Sequence, residues 1–284
     1  MPPATARAYR SPPVEMTAHV RALGPGVRAA MHDRGVTADD LGEVTVDRGV
    51  ALLRPGGADA DLAVLHQPGG TPWALLDEID RLLWLAGAAP APDLIATGRA
   101  DDGSEAAAIR LGSVADTAEH GHPMGPEALV QTLATSLLAL HDRPTDHCPF
   151  VADTAALRAV VDRRVEAAEI AEAADGPYAG RSATELAAIF DDLIDELGES
   201  HEPVFVHAAL RPDRIWLDPD GTATFLGWQW SGLGDRHVDL AAVATLLTRL
   251  HGPALVAPFV EAYGFDRVDI RRLDAHQLLA HLLS

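Results

Sequence analysis

The stretch VFVHAALRPDRIWLDPDGTATFLGWQW, Val204 to Trp230, gathers the side chains of this chain best suited to chemistry. His207 is a candidate general base, and equally a candidate brace that holds a loop through its two ring nitrogens. Arg211 and Arg214 put two guanidinium forks close together, the geometry that grips phosphate or carboxylate bidentately. They have two uses: neutralising the local acids Asp213 and Asp218, or holding an anionic ligand without metal. Asp213, between Pro212 and Arg214, fits a turn better than a metal site. Trp228 and Trp230 flank Gln229, where each can line a cleft or fill a core. Downstream, Asp235 and Asp239 in GDRHVDLA are placed to cap or brace the helix that follows.

Other routes to chemistry are narrow. His120 and His122 in EHGHPM stand two apart without a cysteine or carboxylate partner, a pattern that fits a solvated loop better than a metal site. One cysteine, Cys148, excludes an internal disulfide and a cysteine-rich zinc site, and it reads as a buried thiol. No GxSxG nucleophile elbow occurs. All 22 basic residues are arginine, and asparagine is absent as well. Mechanisms that need a lysine amine are therefore closed: the P-loop lysine, the Schiff base and the Ser/Lys dyad.

The elements that must position these residues follow from periodicity. Residues 1–16 read as a loose, Pro- and Ala-rich tail. Val20, Leu23, Val27 and Met31 recur at helical spacing within 17–35. EVTVD, GVALLRP and DLAVLHQ are short strand-like runs separated by Gly/Asp turns. TPWALLDEIDRLLWLAG is an amphipathic helix begun at Thr71-Pro72 and stopped at Gly87. APAPDLIATGRADDGSEAAAIRLGS reads as a linker, a strand, an Asp-Gly hairpin and a second strand. Beyond Leu111 helices dominate, from GPEALVQTLATSLLALHD to three runs near 237–250, 253–263 and 267–283. The expectation is an α+β chain of two lobes: a small β-rich N-lobe over 17–112 and a larger helical C-lobe over 113–284 that carries the loop 204–230. A cleft between two such lobes is the default place for a ligand.

Composition sets outer limits. A formal charge of −20 argues against nucleic acid, whose phosphates need clustered cations, and is compatible with a cationic ligand. No apolar run approaches a membrane span, and the first residues hold no apolar signal segment, so a cytoplasmic setting is expected.

Several strings carry a family resemblance: DEIDRLLWLAG, LATSLLALHDRPTDHCPF, VFVHAALRPDRIWLDPDG, FLGWQWSGLGDRHVDLAAVATLL and FVEAYGF. From Glu43 onward the chain resembles the aminoglycoside phosphotransferase family, nearest its 3′-phosphotransferase branch, which implies a protein-kinase-like fold. LHDRPTDHCPF and GLGDRHVDLA are the most specific of these strings. The resemblance also implies functional positions, and here they depart from the pattern. The family's His-Gly-Asp, followed five residues later by Asn, reads His207-Ala208-Ala209 and then Arg214. The acceptor-orienting Asp is Ala209, and the metal-holding Asn is Arg214. The metal-binding Asp before a Trp is Gly227, ahead of Trp228. The ATP-anchoring lysine position falls on Leu65, while its partner acid remains as Glu78. Only Gly49 is offered by the turn that cradles phosphates, and Ala280 and His281 stand where the branch carries substrate-clasping acids.

Taken position by position, these departures predict a pseudokinase: no confident catalytic residue, no metal, no cofactor, and action by binding either a small molecule in the interlobe cleft or a protein partner or second copy. Glu78, His207, Arg211, Arg214 and Trp228 are the candidate ligand-binding residues. Two alternatives stand beside this expectation. One is a repurposed, metal-free biosynthetic enzyme using the same cleft. The other is a residual ATP-dependent O-phosphotransferase for an aminoglycoside-like substrate, a role tied to antibiotic resistance or biosynthesis.

Overall fold

The computed structural model describes residues 23–47, 49–55, 62–70, 75–88, 90–111, 116–117, 124–170, 178–198, 202–218 and 221–283. The expected tail over 1–16, His120 and His122, and the boundary between 112 and 113 lie outside the described residues.

The first half builds an antiparallel five-stranded sheet. Its strands are β1 (Leu41–Asp47), β2 (Val50–Pro55), β3 (Leu62–Gln67), β4 (Asp93–Arg99) and β5 (Glu105–Arg110), in the order β1-β2-β3-β5-β4. β3 is buried along its whole length because both of its faces are covered. Successive side chains of a strand alternate in direction. Leu62 and Val64 therefore pack with Val27 and Met31 of helix α1 (Pro25–His32). Ala63 and Leu65 turn the other way, onto Ile79 and Leu82 of helix α2 (Leu75–Leu85). Leu65 faces Leu52 on one side and Ala107 on the other, an apolar site in place of a cation. Asp47 pairs with Val50 where β1 meets β2, and Gly49 beside them has φ +81°.

The second half is helical: α3 (Pro126–His141), α4 (Thr154–Glu166), α5 (Ala183–Leu197), α6 (His237–His251), α7 (Val256–Tyr263) and α8 (Ile270–Leu283). Local chemistry sets their starts. Pro126 occupies the first turn of α3, Asp153 caps α4 by accepting from Ala156 N at 2.8 Å, and Ser182 and Glu185 form a reciprocal capping box on α5. The short strand β6 (Asp116–Thr117) precedes them, and β7 (Val204–Val206), β8 (Ile215–Leu217), β9 (Ala223–Phe225) and β10 (Gly232–Gly234) lie between α5 and α6. β6, β8 and β9 form one small sheet, and β7 and β10 form a ribbon.

One apolar cluster runs through both halves, joining Leu65, Ile79 and Leu82 to Leu133, Phe205, Trp228, Leu240 and Tyr263. This shared core fixes α2 against the turn Trp228–Trp230 and so sets the relation of the two lobes at the site. The α+β, two-lobed expectation holds. Among the described residues no helix is long and apolar enough to cross a membrane.

Candidate functional site

The segment after β7 is held by one buried carboxylate. Asp239, in the first turn of α6, accepts from His207 N at 2.7 Å and from Ala208 N at 2.8 Å. It also meets His141 Nε2 at 3.2 Å, and His141 Nδ1 meets the Tyr263 hydroxyl at 2.8 Å. Asp239 is fully buried, so these contacts replace the water it loses on folding. They also hold Ala208 at φ +66°, a left-handed conformation costing a residue with a Cβ about 1–2 kcal/mol. The sequence points to Asp239 as a helix cap or brace; its grip on a loop 32 residues upstream comes from the fold.

His207 is fully buried and both of its ring nitrogens are engaged. Nδ1 accepts from Ala209 N at 3.2 Å, which places the proton on Nε2, donating to Leu226 O at 3.1 Å. Burial pulls its pKa from 6.5 down to about 4, against the opposing pull of Asp239, so the ring is neutral at pH 7. This geometry makes His207 a brace between two loops and leaves no nitrogen for a ligand or for a base.

Arg214 follows a short 3-10 turn, Pro212–Arg214, and is buried. Its Nη1 donates to Ala209 O at 3.3 Å and Gly227 O at 3.4 Å. Burial lowers its pKa to about 10, which leaves it a cation at neutral pH. The guanidinium covers Gly227: a Cβ added there would lie 2.6 Å from Nη1, 2.7 Å from Cζ and 2.8 Å from Nε. Gly227 also sits at φ +85°, ψ +50°, so the backbone calls for glycine, while a side chain there would displace the arginine head group. Its N–H donates to Glu78 Oε1 of α2 at 2.8 Å. Burial raises the Glu78 pKa, opposed by the backbone N–H groups of Gly227 and Trp228 and by Arg81.

The fold family implies a magnesium ion at positions 214 and 227, and the residues present do not fit one. Magnesium takes carboxylate, phosphate and water oxygens. Gly227 has no side chain, and Arg214 brings positive charge. A dication about 4 Å from a guanidinium is repelled by about 8 kcal/mol at an effective dielectric near 20. Among the described residues no three His, Cys, Asp or Glu side chains group as a metal site. Asp213 is held by Arg211, through Nε at 3.1 Å and Nη2 at 2.6 Å. Asp235 is buried among His237 Nδ1 at 2.6 Å and Arg272 Nη1 at 3.0 Å. Asp218 acts on Arg54 of β2.

Four of the five candidate ligand residues therefore converge, though not as an open cleft wall. Glu78, His207, Arg214 and Trp228 meet around residue 227 as the packed floor of the lobe junction, while Arg211 is taken up by its pair with Asp213. Trp228 is corrected from a cleft-lining ring to a core ring: it is fully buried, stacked with Phe205 and Phe225, and donates Nε1–H to Phe225 O at 2.7 Å. Glu78 is likewise corrected from a ligand contact to an acceptor for the 227 backbone. Alongside this floor a cavity of about 280 Å³ opens between α2, α4 and the 228–230 turn, walled in part by Asp77, Arg81, Arg163, Gln229 and Trp230. Arg81, unmarked in the sequence, ties α2 to this turn by donating to Ser231 O at 2.8 Å while its guanidinium lies over the Phe150 ring.

Residues 51–276 match the model of the phosphotransferase enzyme family. An aminoglycoside 3′-phosphotransferase of Streptomyces fradiae is 30% identical over 236 residues, 75% of this chain and 81% of the relative. One from Escherichia coli is 26% identical over 220 residues, 77% of this chain and 80% of the relative. Among solved structures, the aminoglycoside phosphotransferase APH(3″)-Id of Streptomyces rimosus superposes with a TM-score of 0.76 at 21% identity, covering 95% of this chain and 99% of that one. The same protein solved with ADP and streptomycin gives 0.72 at 20% identity, with 95% and 99% covered. These relatives overturn the expectation of a pseudokinase: the likeness runs along most of the chain, and the relatives it leads to are named for phosphotransfer. That expectation weighed four positions one at a time, whereas phosphoryl transfer depends on the charge and positioning of the assembled cleft. The chain belongs to the aminoglycoside phosphotransferase family.

Proposed function

We propose that this chain is a small-molecule O-phosphotransferase, moving the γ-phosphoryl group of a nucleoside triphosphate to a hydroxyl of a polyhydroxylated, cationic acceptor of the aminoglycoside type. The observation that carries this reading is the match to aminoglycoside 3′-phosphotransferases across three quarters of the chain, at up to 30% identity. The formal charge of −20 supports a cationic acceptor, since it raises the local concentration of cations. Use of a nucleoside triphosphate supports a cytoplasmic setting.

The chemistry asked of the protein is chiefly positioning and charge stabilisation, because the transition state of phosphoryl transfer is loose. In the step, the acceptor oxygen forms a bond to the γ-phosphorus while the bond from that phosphorus to the β–γ bridging oxygen breaks. The diphosphate leaves with the electron pair, and the hydroxyl proton passes to a transferred phosphoryl oxygen and then to solvent. Ala209 supplies no carboxylate to orient the acceptor. Asp239 and His207 keep the 207–209 backbone rigid, and Arg214 supplies fixed positive charge at the lobe junction. With alanine in place of a carboxylate at 209, turnover well below the ~1–100 s⁻¹ typical of kinases is expected.

The test is prolonged incubation with ATP and a panel of aminoglycosides, read by mass spectrometry of the acceptors, with an active 3′-phosphotransferase as the positive control. A mass gain of one phosphoryl group that depends on the protein supports the proposal. Unchanged acceptors throughout the panel, with the control active, overturn it.

A further inference from the structure

Arg214 and Gly227 stand 13 residues apart in sequence and in contact in space. The guanidinium lies 2.6–2.8 Å from where a Cβ at 227 would stand, so a side chain there would require the arginine head group to move. It is oriented from two sides, by Ala209 O and Gly227 O. Neither side yields easily. Ala209 belongs to the segment that Asp239 grips through two backbone N–H groups, and Gly227 is fastened to α2 through Glu78. A cation is thus built into the chain where a side chain reaching toward a metal would otherwise stand.

We infer that the Arg214 guanidinium replaces the divalent cation of this cleft, so that phosphoanions are held at the lobe junction without magnesium. The anion half of this inference rests on the proposed nucleotide-using reaction; the exclusion of metal rests on the 214–227 geometry alone. Arginine suits the role, since its guanidinium keeps its positive charge when desolvated.

Calorimetry with ADP, in magnesium and in EDTA, addresses the anion half. Affinity that agrees within about twofold between the two buffers, and that falls in Arg214→Gln, supports it. A gain of about tenfold or more from magnesium overturns it, and magnesium dependence of that kind leaves the proposed reaction standing. Absence of ADP binding in either buffer overturns the proposed reaction and the anion half together. Manganese, as a magnetic probe for magnesium, decides the exclusion half by electron paramagnetic resonance. The wild-type protein is expected to leave the free manganese spectrum unchanged, and Arg214→Asn combined with Gly227→Asp to bind the ion. Manganese bound by the wild type overturns the exclusion. Melting temperatures of the two single changes and the double add a readout independent of any ligand: Gly227→Asp and Arg214→Asn each lower it, and the double loses less than the sum of the two. A double loss equal to the sum of the two single losses would show that the positions are not coupled and would sink the pairing.

Discussion

Removing the carboxylate of Asp239 tests the brace on which the site depends. Asp239 is fully buried and takes three donors: His207 N at 2.7 Å, Ala208 N at 2.8 Å and His141 Nε2 at 3.2 Å. In Asp239→Ala two backbone N–H groups lose their acceptor in a dry interior, at about 1–3 kcal/mol each, and His141 loses a third contact. The total, about 3–6 kcal/mol, is a large share of the 5–15 kcal/mol that holds a typical fold together. Asp239→Asn is the more informative variant because it keeps the shape. Its single carboxamide oxygen accepts from one N–H, and its NH₂ faces another donor, so a loss of about 2–4 kcal/mol is expected. At roughly 2–4 °C per kcal/mol for a chain of this size, the melting temperature falls by about 5–15 °C. Urea unfolding at unchanged slope gives the energy, and hydrogen exchange at the His207 and Ala208 amides locates it. A loss below about 1 kcal/mol with full protection of those two amides would refute the reasoning, because it would mean the N–H groups have another acceptor.

Three further outcomes follow from the same geometry. The pKa of His207 is about 4 in the folded chain against 6.5 unfolded, so the unfolded chain binds the proton first as pH falls. Its contribution is whole above pH 6.5 and is lost toward pH 4, about 2 kcal/mol by pH 5. His276, also depressed by burial, acts in the same direction, and the difference in urea midpoint between wild type and His207→Gln from pH 8 to 5 isolates the His207 share. Glu78→Gln keeps an acceptor for Gly227 N and costs under about 1 kcal/mol, whereas Glu78→Ala strands that N–H and costs about 1–3 kcal/mol, both read by urea unfolding. Ala208→Gly relieves the strain at φ +66° and is expected to hold or raise the melting temperature, by up to about 1 kcal/mol in stability; a drop of more than 1 kcal/mol would show that the Ala208 methyl group packs usefully.

How much of this could be read from residues alone depended on the range of each interaction. Local patterns were legible. The strand-like run DLAVLHQ and the Asp-Gly hairpin around Gly103 each depend on neighbours within a few residues, and each forms where expected. Residue types at 207, 209, 214 and 227 were legible too, being one-dimensional. Their surroundings were not. Nothing in GDRHVDLA says that the second aspartate reaches two N–H groups 31 and 32 residues upstream, and nothing in DEIDRLLWLAG says that Glu78 will serve an amide 149 residues away. Trp228 fits a cleft or a core equally well until Phe205 and Phe225 are seen to stack on it.

The same limit explains why counting absent groups misjudged the activity. A list of positions treats Arg214 and Gly227 as two independent losses. In the folded chain they touch: the atoms nearest a Cβ at 227 belong to the Arg214 guanidinium, at 2.6–2.8 Å, and φ +85° at 227 disfavours any side chain there. A side chain at 227 would require the guanidinium to move, so the two positions are expected to be coupled, and together they place a positive charge beside residue 227. Mutations in contact are expected to be non-additive by 0.5–3 kcal/mol. The double change at 214 and 227 is thus the place to measure whether this cleft was emptied of function or rebuilt around a cation of its own. A coupling near zero would mean that the contact has no energetic consequence, and the argument for a built-in charge would lose its physical basis.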